Sequence, residues 1–81
     1  MSTEKYQELK NKYNTLQNEK DKIDCLVDIV LEIRNYDIEE AYQLTEEIIE
    51  RSVKINYKKG EGRGINNKGA IYWLRGNMTK D

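Results

Sequence analysis

One stretch constrains the fold of this chain more than any other. Eight of the eleven residues from Ile23 to Ile33 are apolar, and the three exceptions, Asp24, Asp28 and Glu32, recur at every fourth position. A half-buried strand alternates every second residue, so the β-branched Val27, Ile29, Val30 and Ile33 do not make this a strand. At 100° per residue the three acids fall on one stripe and leave an apolar arc of roughly 240°. A helix that apolar must be covered from two sides, as the inner helix of a stack is. The chain contains no proline, so nothing forces such a helix to stop early.

The flanking stretches carry the same period more weakly. From Thr3 to Glu19, Tyr6, Leu9, Tyr13 and Leu16 form a narrow seam on a charged surface. A third helix opens at Asp37, whose carboxylate is placed to cap it, with Glu40 completing a capping box. Ile38, Ala41, Tyr42, Thr45, Ile48, Ile49, Ser52 and Val53 keep to one face of that helix. Glu47–Arg51 and Glu50–Lys54 are four-apart pairs in the favourable order. This helix is expected to run to about Tyr57, to be broken by the segment Lys58–Gly64 (KKGEGRG), and to be followed by a fourth helix through Arg75. On that last helix Gly69 and Ala70 suit the close approach of a neighbour, with Tyr72 in the core on the Gly69 stripe. The expected fold is all-α, with about four helices in antiparallel hairpins.

Composition narrows the chemistry. The 81 residues hold 14 Lys+Arg against 15 Asp+Glu, a net charge of −1, so no basic excess draws nucleic acid or anionic lipid. With no histidine and one cysteine, Ser–His–Asp and Cys–His catalysis, His-containing zinc sites and an internal disulfide are all excluded. Cys25 lies in the apolar arc beside Asp24 and Asp28, which suits a core filler and not an activated thiol. The row Asp24, Asp28 and Glu32 runs straight along a helix and cannot converge on a cation, so it reads as a solvated stripe. The glycines of KKGEGRG follow an amphipathic helix, whereas a phosphate loop follows a strand. No acid–base pair, metal or cofactor is implied, and the chain reads as non-catalytic. Its polar start carries no signal peptide and no window spans a membrane, pointing to the cytoplasm.

The stretch GINNKGAIYWLRGNM resembles the first helix of a tetratricopeptide repeat, with Gly69, Tyr72 and Gly76 at that family's small, aromatic and turn positions. Ala41 resembles the small residue of a second repeat helix. An offset of 40 residues pairs Ile29 with Gly69, Leu31 with Ile71, Ile33 with Trp73, Arg34 with Leu74 and Ile38 with Met78, a period within the range of helical hairpin repeats. The likeness covers residues 22–78 and is closest to the long repeats at the N-termini of bacterial signalling proteins. It implies an α-solenoid fragment, one repeat and the start of a second over 21–81, preceded by a helix over residues 1–20 whose apolar seam is expected to cover the stack.

The resemblance also implies which residues meet a partner. Arg63, Asn66, Ala70 and Trp73 match first-helix positions that look into the concave groove of such repeats. Forty residues earlier the matching positions are Ile23, Leu26, Val30 and Ile33, an oily wall that needs cover. The Tyr6–Leu16 seam is the expected cover, and a second copy of the chain is the rival one. The function expected is a protein–protein interaction or sensory module, the N-terminal part of a larger signalling protein. Its partner would be a protein, a peptide or downstream repeats, and not nucleic acid or membrane. The alternative is a small homodimeric helical bundle with a structural or small-ligand-binding regulatory role.

Overall fold

The computed structural model describes residues 3–79, and side chains over 4–76. Met78 and its pairing with Ile38 therefore lie outside the described side chains. Four helices follow in order: α1 (Thr3–Thr15), α2 (Glu19–Ile33), α3 (Ile38–Lys54) and α4 (Lys58–Thr79). The fold is all-α and built of helical hairpins. Its Cα trace measures 44 × 29 × 14 Å, two helix layers at most given the ~10 Å helix diameter.

Helix α2 is in backbone contact with all three others, while the backbone of α1 approaches only α2 and α4 packs on both α2 and α3. Seven of its apolar residues, Ile23, Cys25, Leu26, Val27, Ile29, Val30 and Ile33, are buried, and only Leu31 stays out. On the α1 side Leu9 joins this core, with Tyr6, Tyr13 and Leu16 packed on its edge. There the Cys25 thiol donates to the Leu9 carbonyl at 3.3 Å, and burial pushes its pKa up. The acidic stripe is not wholly solvated, because Asp24 accepts the Tyr57 hydroxyl at 2.8 Å.

Helix α2 starts earlier than the apolar run suggests, since Asn18 caps it through the Asp21 amide at 3.1 Å. Asp37 caps α3 as expected, accepting the Glu40 amide at 3.3 Å. Glu40 does not close a capping box; its carboxylate accepts the Tyr6 hydroxyl at 3.0 Å and so ties α1 to α3. Arg51 makes the second tie. It donates to Glu19 at 2.7 and 3.0 Å, to the Tyr13 hydroxyl at 2.7 Å and to Glu47 at 2.9 Å. The expected Glu50–Lys54 pair does not form among the described residues.

The break between α3 and α4 is not where the glycines lie. It falls at Ile55–Tyr57, where Asn56 takes a left-handed φ of 58°, a conformation asparagine tolerates better than most. KKGEGRG instead forms the first two turns of α4. Two of its glycines are there for packing. A Cβ on Gly60 would meet the Ser52 hydroxyl, lie 2.7 Å from the Tyr57 ring and 3.0 Å from Ile23; one on Gly64 would lie 2.6 Å from Ile49. The inward seam of α4 is Gly60, Gly64, Asn67 and Ile71. Tyr72 is therefore not core: Ile71, 100° before it on the helix, takes that place, and Tyr72 is 52% exposed. Gly69 faces open space, so no neighbour within the fold needs it.

Two outcomes follow. Gly60→Ala is expected to destabilise the fold by about 1–3 kcal/mol through overpacking, whereas Gly69→Ala, unopposed in space, should stabilise it by about 0.5–1 kcal/mol; urea melts read both signs. Hydrogen bonds from Arg51 hold the Glu19 carboxyl below its ordinary 4.5. The stability it contributes is thus full above 4.5 and lost as pH falls through the lower folded value. Thermal melts across that range should show a smaller acid loss in Glu19→Gln than in wild type.

Candidate functional site

Arg63, Asn66, Ala70 and Trp73 recur at spacings of three, four and three along α4, which keeps them on one side of the helix. Because α4 crosses α2 closely at Gly60, this side lies across a groove from the outer edge of α2. The groove has two depressions. One, of about 340 Å³, is lined by Val27, Asp28 and Leu31 from α2 and by Arg63, Asn66 and Asn67 from α4. The next, of about 260 Å³, is lined by Arg34, Asn35, Ala70, Trp73 and Leu74.

Asn67 stands between them. It is 6% exposed, although it occupies a core position of the α4 seam. The Arg34 guanidinium donates to its Oδ1 at 3.1 Å. Guanidinium has donors only, so the carboxamide must turn its oxygen to Arg34. Its NH₂ has no hydrogen-bond partner among the described residues and lies at the groove. Arg63 and Asn66 are exposed and likewise make no side-chain hydrogen bond or ion pair among the described residues. The groove therefore offers three adjacent donors on α4, an acceptor in Asp28, and apolar ground at Leu31, Ala70, Leu74 and the 67% exposed Trp73.

The oily α2 positions expected to need cover are covered. Ile23, Leu26, Val30 and Ile33 are buried in the core, and the groove wall is Val27, Asp28 and Leu31. Leu9, with Tyr6, Tyr13 and Leu16 at its edge, packs on that core as the N-terminal seam was expected to. Asn67 escaped the sequence reading, although a polar residue in step with Gly60, Gly64 and Ile71 marks its position. Among the described residues no group of three or more His, Cys, Asp or Glu side chains is placed to hold a metal ion, and no helix is long and apolar enough to cross a membrane. No protein-family model, curated protein or solved structure matches the chain.

Proposed function

We propose that the protein is a non-catalytic, tetratricopeptide-like interaction module of a bacterial signalling or regulatory protein, and that it takes a peptide segment of its partner in the α2–α4 groove. The observation that carries this reading is Asn67. The largely buried Asn67 side chain is oriented by Arg34 through its oxygen, which leaves its NH₂ facing the groove as a fixed, solvent-accessible donor for a partner's carbonyl. Arg63 and Asn66 extend the donor row, and Trp73 with Ala70 supplies an anchor of the kind that dominates interface energies. Selection of a displayed random peptide library on the wild-type chain tests it. Enriched peptides should lose at least about 30-fold in affinity on Trp73→Ala, equivalent to ~2 kcal/mol, and also weaken on Arg63→Ala. Peptides that bind an Arg63→Ala/Trp73→Ala double variant as well as wild type would count against the groove.

A second reading, the homodimeric helical bundle, rests on a different face of α4. Gly62 and Gly69 have nothing within 4 Å of a Cβ position, and Ile65 and Tyr72 beside them are 54% and 52% exposed. A helix seated there would account for both features. Light scattering separates the readings, and a dimer would also reverse the sign expected for Gly69→Ala.

A further inference from the structure

On the opposite side of α2 lies a second cleft. Helices α1 and α3 straddle α2 without backbone contact between them, so a slot remains over the α2 surface. The Tyr6–Glu40 hydrogen bond bridges one end of the slot. Arg51 bridges the other, holding both Tyr13 and Glu47. Between the bridges is a cavity of about 340 Å³ floored by Leu26, Ile29 and Leu44, at the small end of ligand-binding volumes.

The two walls differ in charge. Helix α1 presents Lys10 and Asn14, one turn apart, and α3 presents Glu40 and Glu47, two turns apart. The Lys10 ammonium stands 5.0 Å over the Tyr6 ring and has no carboxylate within 4.0 Å among the described residues. Glu40 spends one oxygen on Tyr6; Glu47 gives one to Arg51. Each carboxylate keeps its second oxygen. A simple organic anion would be opposed by the two glutamates, and a simple amine by Lys10. A zwitterion satisfies both walls, and the aliphatic floor asks for an apolar side chain beside its two charges.

We propose that this cleft binds a free apolar amino acid. Its carboxylate meets Lys10 and Asn14, its ammonium meets the second oxygen of Glu40, and its side chain lies on Leu26, Ile29 and Leu44. The site is separate from the α2–α4 groove and does not rest on the reading of that groove.

Calorimetric titration and thermal melts of the full chain test the proposal, using L-leucine and three analogues that each lack one feature. These are isoamylamine without the carboxylate, 4-methylpentanoate without the ammonium, and glycine without the side chain. Leucine is expected to bind with a Kd of about 1 mM or below and to raise the melting temperature. Each analogue should bind at least about tenfold more weakly, the loss of one charge-assisted contact. Lys10→Gln, at an exposed position, and Glu40→Gln, whose carboxamide oxygen still accepts from Tyr6, should each weaken leucine to the same degree with the unliganded melt little changed. The proposal is overturned if leucine shows no saturable binding by about 10 mM. It also falls if the amine or the acid binds as tightly as leucine, or if both variants bind leucine like wild type.

Discussion

Helix α2 is buried on two sides, and the remaining structure is arranged by that fact. Its backbone alone approaches every other described helix, and it carries seven of the buried apolar residues. In a chain with 37% hydrophobic residues, concentrating them in one helix leaves the others short of bulk. Helices α3 and α4 make up the shortfall by approaching closely rather than by filling space. Ala41, Thr45 and Ser52 face α4 or α2 from α3, and Gly60 and Gly64 let α4 come in. That closeness has a cost: the buried hydroxyls of Thr45 and Ser52 have no hydrogen-bond partner among the described residues.

The same two-sided burial sets out the surfaces where chemistry remains possible. Leu26 and Ile29 floor the α1–α3 cleft, while Val27, Asp28 and Leu31, their immediate neighbours in sequence, wall the α2–α4 groove. One helix therefore serves as the partition between two candidate sites. Polar ties of α1 to α3, through Tyr6–Glu40 and Arg51–Tyr13, cross the two ends of the cleft and supplement the apolar packing of Leu9, Tyr6 and Tyr13 on the core.

Much of this was legible in the amino-acid order. The recurrence of Asp24, Asp28 and Glu32 at every fourth position revealed α2, and Asp37 marked the start of α3. The break after α3 was not legible, because glycine in a helix usually signals a stop, at a cost of ~1 kcal/mol per residue. Here Gly60 and Gly64 sit inside α4, where contact with Ser52, Ile23 and Ile49 offsets that cost. The real signal was Asn56, a residue suited to a left-handed C-terminal turn. Tyr72 was misplaced for a related reason: once Gly60 and Gly64 face inward, the seam continues to Ile71. The four α4 residues of the groove came from the resemblance to a repeat's first helix, but Asn67 and the α2 wall depend on where α4 crosses α2, which periodicity within one helix does not encode.

Native-state hydrogen exchange measures the central role of α2 most directly, since protection reports local opening free energy. The slowest amides of the chain should be those of α2 between residues 26 and 33, with those of α1 exchanging far faster. If α2 amides exchanged as fast as those of α1, two-sided burial would not be what holds the fold together.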